Sequence, residues 1–427
     1  MIALPMCLTL AFLLGQAQVH IVAITFKTLI PPSGDKHDYY SFASYWWPAC
    51  PDGVKVSDPK HECPYVTKDG KVNPDVSELD DHRQLQNMAK DTLTLALAWQ
   101  LLDIDRYAER ASKILRDWFI NPDTRMNPNG RYAQTVRGKG EWLGRGPGLI
   151  DLRFLLQAAN AASILQQSQA WTEQDHNALV QWFSDLSAWY TTSEQGKHVI
   201  RMKNNVKTWY DAQLAGFYAF TGKTTMAKDV IQTYIDVDYS RQIDKDGGQS
   251  LELQRTHQFH FSNFNLEALI YLAKVGDEVG IDVWHTPNQH GANIKTAVEF
   301  LLSKKLKTNA REELQRHVAV GQAKYGKDTF LNQALMVASL GHTQGAGITE
   351  LANDATAPPI NGTNAWPTAK RPTNPAAEET LLQQIKTSKQ LEKHKHKLSN
   401  LFPLSTADTI SPIWTLLCFS IGIVAFM

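Results

Sequence analysis

Hydrophobic positions recur at helical spacing through most of the middle of the chain. Leu85, Met88, Ala89, Leu93, Leu95 and Ala96 follow a 3.6-residue period, and YAERASKILRDWF (107–119) reads as an amphipathic helix. The same period predicts helices over 149–167, 172–191, 208–221, 224–235, 265–275, 294–304, 311–320 and 330–339. Turn-forming runs separate them, as in NPDTRMNPNG (121–130) and DKDGG (244–248). About ten helices with short connections and almost no alternating pattern predict an all-α domain. Antiparallel helix pairs wound into an (α/α) toroid suit that number. A superhelical array is the rival, but no motif recurs at a fixed period.

The flanks break the pattern. Residues 27–76 are rich in Pro, Gly, Asp and aromatics without a helical period, so 18–78 is expected to be an aromatic-rich arm or lid over a toroid at 79–343. Residues 344–407, rich in Ala, Pro, Thr and Asn in their first half, read as a disordered linker or stalk. Within it, LEKHKHKLSN (391–400) reads as a solvated basic run. Residues 1–17 read as a signal peptide, apolar from Ile2 to Leu14 with a cleavage point after Ala17. Residues 408–427 are an apolar tail, either a GPI-attachment signal or a single membrane anchor. The uncharged run from Ile413 is short for a ~30 Å hydrocarbon core, which favours the former.

Composition narrows the partner class. Lys+Arg and Asp+Glu balance at 43 each, so no global field steers the chain to nucleic acid, and an acidic ligand needs a local basic site. Twelve Trp and 13 Tyr supply both core and the flat rings that stack on sugars. Trp118, Trp182 and Trp189 lie on amphipathic stretches and are expected in the core. Cys7 falls in the leader and Cys418 in the tail, leaving Cys50 and Cys63 as either one local disulfide or two free thiols. A disulfide, a glycosylation sequon at Asn361 and the leader together describe a secreted, extracellular, cell-surface or membrane-anchored monomer.

Five blocks, in order, carry a resemblance: PPSGDKHDYYSFASYWWP (31–48), YAERASKILRDWF with TRMNPNGRYAQ (107–134), GLIDLRFLL (148–156), KNNVKTWYDAQ (203–213) and GGQSLELQRTHQFHFSNFNLEAL (247–269). Together they resemble the alginate lyase family of all-α polysaccharide lyases, especially its secreted fungal-type members. The resemblance implies β-elimination on a polyuronate such as alginate or glucuronan, an acidic polysaccharide partner, and no cofactor or metal. Removing the C5 proton of a uronate requires donors on its carboxylate, a base at C5 and an acid at the leaving oxygen.

Carried over by position, Asn205, with Asn204 beside it, supplies the neutralising amide and Arg255 the cation, whose planar fork suits a carboxylate. The family's proton-transferring His and Tyr positions are here Val206 and Phe261. Tyr210, His260, His257 and His37 are the substitutes considered, with Tyr39, Tyr45 and Trp46 as further substrate contacts. Blander readings stand beside these. The asparagines could serve only as helix caps, Arg255 could pair with Glu252, and Tyr45, Trp46 and Trp47 could simply staple the arm. The alternatives in function are a carbohydrate-binding pseudoenzyme that has lost catalysis, and a toroidal glycosidase drawing on Asp35, Asp38, Asp151 or Glu252.

Overall fold

The computed structural model describes residues 23–50, 63–138, 143–304 and 308–326, and only the backbone at 308–312 and 319. The leader, the sequon at Asn361, the linker, the C-terminal tail and the helix expected at 330–339 lie outside the described residues.

The fold is an all-α toroid entered through an aromatic-rich arm. Four short strands come from the arm and one loop: β1 (Tyr40–Phe42), β2 (Trp46–Pro48), β3 (Tyr65–Thr67) and β4 (Tyr132–Thr135). β1 pairs in parallel with β4, and β2 pairs antiparallel with β3. These strands were not legible in the sequence, because three or four residues are too few to establish an alternating period.

The helices are α1 (Asp81–Leu102), α2 (Asp105–Leu115), α3 (Leu155–Leu165), α4 (Glu173–Thr192), α5 (Glu194–Ile200) and α6 (Asn205–Phe220). They continue with α7 (Thr224–Thr233), α8 (Tyr239–Gln242), α9 (Ser250–Leu253), α10 (Gln258–Val279), α11 (Ile294–Leu302) and α12 (Thr308–Tyr325).

Three predicted helices change pitch, the 224–235 stretch by running into a π turn at Tyr234–Asp238. The 107–119 stretch passes from α2 into a π turn at Arg116–Ile120, which turns Trp118 and Phe119 inward. The 149–167 stretch opens as a 3₁₀ segment, Gly146–Phe154, before α3. A Cβ at Gly148 would lie 2.1 Å from the Ala133 carbonyl, so glycine lets this segment press against β4.

Local chemistry explains several ends. Thr172 and Asp175 form a capping box on α4, as do Asn293 and Thr296 on α11. α10 stops at Gly280 in the left-handed conformation, whose N–H returns to the Gly276 carbonyl. α6 is different: every residue from Asn205 to Phe220 is buried. It packs on α10, α7, α4 and α3, so it forms the centre of the toroid rather than a surface helix.

The arm is stitched into this body. Ile24 and Tyr39 belong to the main hydrophobic core, so the segment is not confined to a lid. Cys50 and Cys63 are joined as a disulfide. Asp81, in the first turn of α1, receives the Lys27 ammonium at 2.5 Å and the Tyr40 N–H at 2.8 Å. Both members of the ion pair are almost fully buried, so loss of either strands the other in a dry site. Asp81→Ala is therefore expected to cost roughly 3 kcal/mol in urea unfolding, against about 1 kcal/mol for an ordinary substitution. A change below 1 kcal/mol would show that the pair does not anchor the arm.

Candidate active site

The start of α6 faces a cleft of about 580 Å³ whose walls come from the arm, α1, the 3₁₀ segment, α10 and α12. Its floor is set by the first turn of α6. The sequence pattern started this helix at Thr208, but the chain becomes helical at Asn205 because a distant carboxylate supplies the cap. Glu252 is wholly buried and accepts the Asn205 backbone N–H and the Asn205 side-chain amide, each at 2.7 Å. Asn204 sits at the cap position without a side-chain capping bond. Burial raises the Glu252 pKa, partly offset by the two Asn205 bonds and by Arg255.

Arg255 follows α9. Its Nε and Nη2 make a forked contact with Asp69 of the arm, the shortest bond being 2.5 Å. Its Nη1 stands 3.8 Å from Glu252, and the guanidinium carbon lies over Phe261, 3.7 Å from the ring centre. The Arg255–Glu252 pairing considered from sequence is thus the looser of two carboxylate contacts. Hydrogen bonding from Arg255 drops Asp69 to about 2. An amide nitrogen carries two hydrogens, and Asn205 uses one on Glu252, leaving the other for a ligand in the cleft it lines.

Val206 and Phe261 also line the cleft, both buried and both without a titratable group. Tyr45 meets the edge of Phe261 at 6.3 Å and completes this wall. His260 lines the cleft from α10, with its Nδ1 2.8 Å from Glu313. That hydrogen bond raises the His260 pKa above its usual value, against a smaller effect of burial. Arg145, Arg153, Arg316 and Lys90 add positive charge around the walls.

The family model for alginate lyase matches residues 24–310. An alginate lyase from Bacteroides ovatus superposes with a TM-score of 0.71 at 30% identity, covering 80% of this chain and 92% of that one. The chain belongs to the alginate lyase family. A histidine-to-alanine variant of alginate lyase A1-III complexed with tetrasaccharide is more distant, at 17% identity and a TM-score of 0.45, covering 73% and 81% of the two chains. No curated protein matches the chain.

As an alginate lyase family member, the protein brings Asn204, Asn205, Val206, Arg255, His260, Phe261 and Tyr45 to one cleft. Five other candidates lie elsewhere. Tyr210 is buried in the core, stacked on Tyr190, with its hydroxyl donating to the Tyr190 carbonyl. Sharing a face with Val206 one turn away was not enough, because α6 is enclosed on every side. His257 sits at the N-cap position of α10 without a side-chain capping bond, and its Nε2 lies 3.1 Å from the Gly70 carbonyl. His37 is held by the Arg125 carbonyl at 2.6 Å. Trp46 lies behind the cleft under Arg145, with the guanidinium carbon 5.6 Å from its ring.

Tyr39 is fully buried and reaches Asp151 rather than a ligand. The sequence reading missed His82, Gln134, Arg145, Arg153, Asp69 and Glu313, which come from separate elements and share no spacing.

Two outcomes test this geometry. Glu252→Gln leaves one carbonyl oxygen for two donors and sets an amide N–H against them. It is expected to cost about 2 kcal/mol in chemical unfolding. The Asp69 contribution to stability is fully present above its unfolded value near 3.9 and is lost as pH falls through about 2. Stability of Asp69→Asn, followed by denaturant titration from pH 5 to pH 2, should lose this part of the slope. An unchanged slope would contradict the Arg255–Asp69 pairing.

Proposed function

We propose that the protein cleaves an acidic polysaccharide of the polyuronate class, such as alginate or glucuronan, by β-elimination in this cleft. The observation that carries this reading is the joint placement of Asn205, held by Glu252, and Arg255, held by Asp69, at one site. A uronate carboxylate entering there meets an amide donor and a guanidinium, which stabilise the enolate-like dianion formed when C5 loses its proton. Electrons then form the C4–C5 double bond and the C4–O bond breaks. His260, whose pKa Glu313 raises, is suited to protonate the departing oxygen.

One observation favours a second reading, a polyuronate-binding protein without turnover. Val206 and Phe261 place two apolar side chains at the family's proton-transferring positions, and both line the cleft. The Cys50–Cys63 disulfide supports an oxidising, extracellular location, with the C-terminal tail as the anchor we propose.

The absorbance of the unsaturated uronate product, with glucuronan, alginate and hyaluronan as substrates, separates the readings. The unmodified protein should form product, and Arg255→Ala should lower kcat/KM by about 100-fold or more. Calorimetric binding without product would sink the lyase reading. In that case Val206→His combined with Phe261→Tyr should generate the missing activity.

A further inference from the structure

Neither Val206 nor Phe261 can take the C5 proton, and His260 is biased toward its protonated form. A second histidine lines the same cleft on the α1 wall. His82 is held from behind by buried groups, and its half-exposed ring meets the edge of Phe154 on the floor, 5.7 Å between centres. Its Nδ1 lies 3.3 Å from the Tyr39 hydroxyl and 3.7 Å from Asp151 Oδ2.

The hydrogen-bond order around Asp151 settles the tautomer. Asp151 Oδ2 accepts from the Tyr39 hydroxyl at 3.0 Å and the Ser41 hydroxyl at 2.7 Å, while Oδ1 accepts from the Gln134 amide at 2.8 Å. The single Tyr39 proton is spent on Asp151, so the Tyr39 oxygen faces His82 as an acceptor. Nδ1 of His82 must then carry the proton, and Nε2 keeps its lone pair. Gln134 reaches Asp151 from a left-handed backbone, φ 52°, a conformation that costs a non-glycine residue energy. The network is thus held together at some expense.

We propose that His82 is the general base of this protein, with Tyr39 and Asp151 as the groups that position it. This rests on the uronate reading of the cleft. Nε2 of His82 takes the C5 proton, the C–H electron pair becomes the C4–C5 double bond, and the C4–O pair leaves on the oxygen, which receives a proton from His260. Solvent then removes the proton from His82 and restores the one on His260, so the cycle balances without a co-reactant.

The environments agree with the roles. Burial lowers the His82 pKa, opposed by Asp151 and aided by Arg153. His260 is raised by Glu313, with Glu267 adding to the shift and Arg255 opposing it. Two histidines shifted in opposite directions match the opposite roles of base and acid.

The test is the pH profile of product formation together with His82→Gln and Tyr39→Phe. In the unmodified protein the acidic limb of kcat/KM should fall below the ordinary histidine value near 6.5, with the alkaline limb above it. His82→Gln should retain calorimetric polyuronate binding, lower kcat by about 100-fold or more with KM little changed, and abolish the acidic limb. Tyr39→Phe should displace the acidic limb while binding persists, which a purely structural role would not do. Activity of His82→Gln within threefold of the unmodified protein overturns the assignment and leaves the lyase reading intact. Should the variants not fold, an acidic limb above pH 6.5 in the unmodified protein overturns it equally. An unmodified protein that binds polyuronate and forms no product overturns the lyase reading, and this assignment with it.

Discussion

The bond between the buried Glu252 carboxylate and the first residue of α6 is the constraint on which the site depends. α6 is buried along its whole length and opens only at its first turn onto the cleft, so its free N–H groups need partners within the fold. Glu252 meets the Asn205 N–H and the Asn205 side chain together. The negative charge also suits the positive end of the helix dipole, which makes a buried carboxylate tolerable there. The same carboxylate stands near Arg255, three residues later. One acidic group therefore starts the central helix and orients the amide, with the cation beside it.

The second constraint is the junction between the arm and the toroid. Asp69 holds Arg255 in a fork while Phe261 supports the guanidinium from below. With the cation fixed from two sides, little side-chain entropy is lost when a carboxylate binds. The phenyl ring at 261 thus has a role that does not need a hydroxyl. Proton-carrying groups are found instead on the walls, where His260 leans on Glu313 and His82 on Tyr39.

The helices were readable where burial is one-sided. The 3.6-residue stripe on α2 and the capping residues Thr172 and Asn293 are local signals, and local physics settled those segments. The onset of α6 was displaced by three residues because its cap comes from Glu252, 47 positions away. The strand pairs escaped notice for the same kind of reason, since β1 meets β4 about 90 residues later.

By itself, the sequence determined the all-α class and the family, and it left Cys50 and Cys63 as the pair available for a disulfide. Each depends on residue type or on short-range spacing. Tertiary structure alone decided which neighbours face the cleft. Tyr210, one helical turn from Val206, is sealed in the core, whereas His82, more than 120 positions away, opens onto the same space. Periodicity tells which side chains share a face of one helix. It carries no information about which faces of different helices the packing leaves open.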